Sequence, residues 1–137
     1  MSLPSYLAES IRVLELAGES WTGDLVAGAL EAVTGALRAA KPSIVCGNGG
    51  SAADAIHVTG EVVGRFLTDR QALKARSMNM RTIALTGEGG GNLFGLSDYL
   101  FAVPSRCTPP IQQAHVCLYH YLCQMIEQQF MRNSSAQ

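Results

Sequence analysis

Residues 43–66, with the sequence SIVCGNGGSAADAIHVTGEVVGRF, join three patterns from which the fold can be inferred. An apolar run at 43–46 enters a glycine-rich turn at 47–51, and a helix-compatible run then extends from about Ser51 to Phe66. This order predicts a β-strand, a tight turn and an α-helix in succession. The backbone N–H groups of such a turn and the positive end of the helix dipole can together bind an anion such as phosphate.

His57 and Glu61 lie four residues apart in the predicted helix, so we expect both side chains on one face, about one turn beyond the anion site. An imidazole and a carboxylate at this spacing can supply two ligands to a metal ion. Pairs with the same spacing are also common on solvated helix surfaces. A phosphate-binding turn beside a His/Glu pair indicates chemistry on a phosphorylated small molecule.

The start of the same helix supports two interpretations. Ser51, with the backbone of Gly49 and Gly50, is placed to hold phosphate. Alternatively, Ser51 caps the helix and Asp54, three residues later, completes a pattern like a capping box. The two interpretations are compatible, because a capped helix N-terminus is also an anion site.

Elsewhere in the chain, apolar periodicity predicts helices and strands in alternation. The expected elements are helices at 5–18, 23–40 and 109–131 and strands at 81–86 and 99–103. This alternation predicts a three-layer α/β domain with a mostly parallel sheet, whose ligands bind at the carboxyl ends of the strands. The glycine-rich turns at 47–51 and 87–91 both follow strands and are expected at that edge. In the last helix, Tyr119 and Tyr121 are expected to pack in the core or against other helices of a bundle.

Composition narrows the class of protein. The 137 residues correspond to one ordinary domain, and the charged fraction of 15% is below the usual ~25%, which suggests surface buried against sister subunits. A net charge of −1 without a basic block disfavours nucleic acid as a partner. No apolar run approaches the ~20 residues of a membrane span. Because the sequence also shows no signal-peptide pattern, we expect a cytoplasmic protein without a membrane partner.

The cysteines do not indicate a metal or redox motif. None of them forms a Cys-x-x-Cys pair, so a zinc knuckle or a thioredoxin-like site is disfavoured. We expect buried, reduced thiols. The residues concerned are Cys46, Cys107, Cys117 and Cys123.

Three stretches resemble the phosphoheptose isomerase family of the sugar isomerase (SIS) fold, namely 46–66, 82–91 and 103–120. The combination of Gly-Asn-Gly-Gly-Ser, a His-x-x-x-Glu pair and Ile-Gln followed eight residues later by His is specific. The resemblance covers nearly the whole chain and implies one αβα sandwich of the flavodoxin-like type. It also implies that residues 1–40 form helices for oligomerisation, that 41–137 form the α/β core, and that the protein is a homotetramer.

The resemblance further implies an aldose–ketose isomerase that acts on sedoheptulose 7-phosphate through an enediol, in the bacterial route to heptose for lipopolysaccharide. Glu61 would be the catalytic base, and His120 would assist from the opposite side. The implied ligands of a zinc ion are His57, Glu61, Gln112 and His120. The expected substrate contacts are Asn48, Gly49, Gly50, Ser51, Asp54, Thr86 and Gln112. Two of these have ordinary alternatives, since Asn48 is also typical of an Asx turn and Thr86 of a strand end.

One departure from the family is large. Family members have a central portion between the positions of Leu73 and Met80, with further strands and a second, Ser/Thr-rich phosphate loop, whereas Lys74 and Ala75 adjoin directly here. Three explanations for the missing central portion are open. Its residues are disordered and left out of the sequence, the protein was shortened, or the gene carries a deletion. A true deletion would favour a non-catalytic SIS protein that binds a replication initiator or senses phosphosugars. The complete set of metal-ligand residues favours the enzyme.

Overall fold

The computed structural model describes residues 2–47, 49–62 and 80–134. Asn48 and the junction of Lys74 with Ala75 lie outside the described residues, as do the side chains of residues 58–62. The helices and strands of the described part are α1 Leu3–Ser20, α2 Gly23–Arg38, α3 Gly50–Val62, β1 Ile83–Thr86, β2 Tyr99–Ala102 and α4 Thr108–Ser134. Each lies where the sequence predicts it, with ends that differ by a few residues, and residues 63–66 of the predicted third helix lie outside the described residues.

The chain divides into two compact units. The first comprises Met1–Val26 and Gln71–His115, and the second comprises Ala27–Arg70 and Val116–Gln137. The first unit holds α1, both strands and the start of α4. The second holds most of α2, all of α3 and the rest of α4.

The two strands of the first unit are parallel neighbours, paired from Ile83 with Tyr99 to Thr86 with Ala102. Both are continuous apolar runs, as expected for parallel strands that are covered on both faces. The connection between them contains a short 3-10 helix, Gly91–Leu93. Their carboxyl ends therefore lie side by side, and the predicted parallel α/β arrangement is confirmed.

The core of the first unit forms where α1 and α4 cover β2. Val13 and Ala17 of α1 pack with Val103 and Ala114, and all four are almost completely buried. Phe101 is also fully buried, and Trp21 meets its ring edge-on at 5.7 Å between centroids. The indole N–H of Trp21 donates to the carbonyl of Ala102 at 3.3 Å. These contacts fix the end of β2 and the start of α4.

Replacing Phe101 by Ala is expected to lower the free energy of unfolding by about 3–5 kcal/mol, because it leaves a large cavity in a fully buried position. Phe94, which is 72% exposed, provides the control, and Phe94→Ala is expected to change stability by less than about 0.5 kcal/mol. Urea unfolding followed by circular dichroism measures both. Equal effects of the two substitutions would contradict this description of the core.

The prediction of a strand at 43–46 is wrong. Residues 41–47 have no regular secondary structure, and Ile44 is 38% exposed. A strand requires a partner for its backbone groups. Within the described residues, no backbone hydrogen bond joins 43–46 to another segment. The apolar run at 43–46 therefore has no strand partner within 2–47, 49–62 and 80–134.

The predicted burial of the cysteines is also wrong, although all four are free thiols. Cys46, Cys107 and Cys117 are exposed and Cys123 is half-buried. Cys46 belongs to the segment that forms no strand, Cys107 to the loop before α4, and Cys117 to a solvent-facing position of α4. In residues 2–47, 49–62 and 80–134, no helix combines the length and the apolar character needed to cross a membrane.

Candidate active site

The turn before α3 depends on two glycines. A Cβ atom at Gly47 would lie 2.3 Å from the carbonyl oxygen of Ser51, so no other residue fits there without a shift of the backbone. Gly49 has φ of +57°, in the left-handed region that glycine adopts at low cost. The N–H of Ala52 closes the turn on the carbonyl of Gly49 at 3.1 Å. The chain is therefore folded tightly against the first turn of α3, whose N–H groups lack intrahelical acceptors and carry the positive end of the dipole.

Ser51 does not cap this helix. Because α3 begins at Gly50, Ser51 lies inside the first turn rather than at the capping position. Among the described residues, neither its hydroxyl nor the carboxylate of Asp54 has a hydrogen-bond partner, so the capping alternative is wrong. Both side chains are half-buried. They lie at the N-terminal end of α3, where a bound phosphate and its sugar would meet polar groups.

His57 of α3 and His120 of α4 meet in the second unit. Their Nε2 atoms are 3.3 Å apart, although the two residues are 63 positions apart in sequence. Both side chains are exposed, and the ring planes are nearly perpendicular, at 86°. Without a metal, this distance fits a hydrogen bond in which one neutral imidazole donates its Nε2–H to the other.

The same distance fits a pair of zinc ligands. Two nitrogen ligands, each about 2.0–2.1 Å from a tetrahedral zinc ion, are roughly 3.3 Å apart. Glu61 follows His57 by one turn of α3, but its side chain lies outside the described ones. The side chains that the structure describes include no group of three His, Cys, Asp or Glu residues able to hold a metal. A further possible ligand of the same unit is Glu61, one turn beyond His57 along α3.

The remaining predicted site residues belong to the first unit. Thr86 ends β1, and its buried hydroxyl has no hydrogen-bond partner among the described residues. It borders a cleft of about 310 Å³ together with Ser105 and Arg106, and the guanidinium of Arg106 pairs with Glu88. Gln112 is half-buried near the start of α4, on the same helix as His120.

His115 and Tyr119 make contacts that the sequence patterns did not predict. His115 is buried, as expected for a core histidine, and its Nε2 lies 3.2 Å from the carbonyl oxygen of Thr86. Tyr119 is buried as predicted, but its ring also contacts the rings of His57 and His120. The only sequence signal for Tyr119 is its position beside His120. No sequence pattern predicted the cleft, apart from the nearby glycine-rich turn. The lining residues concerned are Glu88, Ser105 and Arg106.

Comparison with known proteins shows similarity to phosphoheptose isomerases, although no protein-family model matches the chain. The curated phosphoheptose isomerase of Rhodospirillum rubrum is 30% identical over an alignment of 158 positions including gaps, which covers 74% of this chain and 84% of that protein. The phosphoheptose isomerase of Akkermansia muciniphila is 28% identical over an alignment of 164 positions including gaps, which covers 76% of this chain and 87% of that protein.

Solved structures agree on the fold. The phosphoheptose isomerase of Neisseria gonorrhoeae superimposes with a TM-score of 0.79 at 27% identity, with 90% of this chain and 97% of that chain covered. The phosphoheptose isomerase of Francisella tularensis gives a TM-score of 0.78 at 22% identity, a likeness that shows the fold alone. The predicted α/β architecture of the SIS type is confirmed.

The lengths of the sequence alignments bear on the departure at Lys74 and Ala75. The alignment to the Akkermansia muciniphila protein runs over 164 residues, whereas this chain has 137 in total. That relative therefore contains residues within the matched stretch that have no counterpart here. The alignment length does not locate these residues, so their absence between Leu73 and Met80 stays a prediction.

Proposed function

Because the chain belongs to the phosphoheptose isomerase family, we propose that it converts sedoheptulose 7-phosphate to D-glycero-D-manno-heptose 7-phosphate. The observation that carries the proposal is the convergence of His57 and His120 from two helices, with Nε2 atoms 3.3 Å apart. One of these helices, α3, begins at a glycine-rich turn, and such a turn at a helix N-terminus can bind an anion. A phosphate anchor and a pair of imidazoles in one unit are what an enzyme acting on a phosphosugar needs.

In this proposal the turn and the start of α3 bind the substrate phosphate. The N–H groups of Gly49 and Gly50 and the hydroxyl of Ser51 are its donors, and Asn48 contributes from the same turn. Asp54 bonds hydroxyl groups of the sugar. The support for this assignment is the tight packing of Gly47 on Ser51 and the location of the turn at a helix N-terminus. Thr86 and Gln112 complete the proposed set of substrate contacts.

Proton transfer is assigned to Glu61 and His120. The carboxylate of Glu61 removes a proton from C1 of the ketose. His120 supplies a proton to the oxygen at C2, and the enediol forms. The protonated Glu61 exchanges its proton with solvent and delivers a proton to C2, and loss of the proton from the oxygen at C1 then gives the aldose. Glu61 lies one turn beyond His57, on the helix whose N-terminus binds the phosphate in this scheme.

We also propose that the site holds zinc through His57, Glu61, Gln112 and His120. The separation of the two imidazoles fits such a site. When bound, the metal would polarise the carbonyl and orient the sugar oxygens. Chelation is therefore expected to remove most of the activity, and added Zn²⁺ to restore it. Isomerase activity that survives complete removal of metal, verified by elemental analysis, would contradict the metal assignment alone.

The experiment that tests the function is direct. The purified chain is incubated with sedoheptulose 7-phosphate, and the aldoheptose 7-phosphate is followed by NMR. Product that accumulates to a fixed ketose/aldose ratio, reached from either side, supports the proposal. Binding of sedoheptulose 7-phosphate without any turnover would contradict it.

A second candidate function is phosphosugar binding without catalysis. It is favoured by the sequence alignments, since relatives hold residues in the matched stretch that this chain lacks. If those residues include the second phosphate loop, the phosphate group would lose part of its binding site. Calorimetry of sedoheptulose 7-phosphate binding, run beside the turnover assay, separates a sensor from an enzyme.

The proposal extends to assembly and location. Leu3, Leu7 and Ile11 recur every four residues along α1 and are 70%, 50% and 56% exposed, which supports packing of this helix against sister subunits. We expect a homotetramer, and a monomer in sedimentation velocity at micromolar protein would contradict this. The reaction would take place in the cytoplasm and supply heptose for lipopolysaccharide.

A further inference from the structure

We propose that Tyr119 is a positioning residue that holds the imidazoles of His57 and His120 in their converged arrangement. The inference rests on the proposed role of these two histidines as metal ligands. It assigns to Tyr119 a task beyond the core packing that its sequence position indicates. The juxtaposition that supports it is a buried phenol ring in contact with two exposed imidazole rings.

Three rings contact one another pairwise in the second unit. The ring centroid of Tyr119 lies 4.6 Å from that of His120 and 5.8 Å from that of His57, with interplanar angles of 61° and 64°. The two imidazole centroids are 5.5 Å apart. All three distances and angles fall in the edge-to-face range that aromatic pairs prefer.

The burial of the three residues is unequal. Tyr119 is only 8% exposed, whereas both histidines are exposed. A buried ring is fixed by its surroundings, while the terminal torsion of an exposed histidine is broad and roughly two-fold. The phenol ring therefore provides a rigid surface that limits how each imidazole can turn. Limiting both rotations favours the separation of 3.3 Å between the two Nε2 atoms.

Outer groups that orient metal ligands typically contribute 10–100-fold to metal affinity. We expect Tyr119→Leu, which removes the ring, to weaken Zn²⁺ binding about 10-fold, at the lower end of that range. Tyr119→Phe keeps the ring and is expected to retain the affinity. Tyr121→Leu is the matched control, because Tyr121 is on the same helix, is 47% exposed and forms none of the ring contacts found among the described residues.

The measurement is competition for Zn²⁺ between each protein and a chromophoric chelator, with the melting temperature of each metal-free protein recorded in parallel. A purely structural role would lower the melting temperature of Tyr119→Leu and leave its zinc affinity unchanged, which would overturn the inference. Equal losses of affinity in Tyr119→Leu and Tyr119→Phe would also overturn it, because the hydroxyl rather than the ring would then be responsible. If Tyr119→Leu does not fold, Tyr119→Met fills the volume with a flexible chain and takes its place.

The test separates this inference from the proposed function. Zinc binding that depends on the Tyr119 ring, in a protein that does not isomerise sedoheptulose 7-phosphate, contradicts the function and supports the positioning role. A wild-type chain that binds no Zn²⁺, or binds it equally well after His57→Ala, overturns the positioning role, because the imidazoles would then not act as a pair.

Discussion

Glu61→Gln is expected to reduce the turnover of sedoheptulose 7-phosphate by about 10²–10⁴-fold, the usual contribution of a positioned general base. The amide has nearly the shape of the carboxylate but cannot accept the proton from C1. Because the substitution is close to isosteric, the melting temperature of the protein should stay within a few degrees of the wild-type value. The rate is measured under saturating substrate, so that kcat rather than binding is compared.

The control for this prediction is Glu127→Gln, which removes an exposed carboxylate from α4. It is expected to leave kcat unchanged. Zinc content, measured on the same samples, separates the two roles assigned to Glu61. Loss of kcat with zinc retained identifies the base, and loss of both identifies a ligand. A Glu61→Gln protein with wild-type kcat would contradict the assignment of the base.

Gly47→Ala is expected to raise KM for the phosphosugar by about 10–100-fold. The new Cβ would lie 2.3 Å from the backbone oxygen of Ser51, so the turn must move away from α3. Displacement of even one donor to the phosphate removes a hydrogen bond to a charged group, worth about 1.5–3 kcal/mol. Each 1.4 kcal/mol corresponds to about tenfold in affinity. Inhibition by inorganic phosphate should weaken in parallel, because the phosphate group alone is affected.

Gly35→Ala is the matched control, because Gly35 lies inside α2 with no atom near the position of an added Cβ. Alanine there should raise the free energy of unfolding by about 0.5–1 kcal/mol and leave KM unchanged. If Gly47→Ala behaves like Gly35→Ala, the glycine-rich turn is not the phosphate site.

Local patterns predicted most of the fold. The periodicity of apolar residues placed α1, α2 and α4, and the apolar runs placed β1 and β2, because each pattern reports a face that the element itself buries. The same reasoning failed at 43–46, where an apolar run forms no strand. Strand formation depends on neighbours elsewhere in the chain, and a short run cannot report whether those neighbours exist.

Local sequence patterns predicted less of the candidate site than of the fold. The spacing of His57 and Glu61 indicated a shared helix face, but nothing local indicates that His120, 63 residues away, approaches His57. That pairing followed only from the family resemblance, since it depends on how α3 packs with α4. The capping interpretation of Ser51 failed by two residues, because helix boundaries are set by backbone geometry as much as by residue type. Tyr119 looked like core from its sequence, and only its ring contacts show a relation to the imidazoles.

The central claim is that this chain moves a proton between C1 and C2 of a phosphorylated ketose. The most direct test is incubation of the wild-type protein with sedoheptulose 7-phosphate in D₂O, with NMR analysis of the sugar carbons. Isomerisation through an enediol predicts aldoheptose 7-phosphate that carries deuterium at C2, and no such product with Glu61→Gln. Recovery of unchanged ketose without deuterium, from a folded wild-type protein loaded with zinc, would contradict the account.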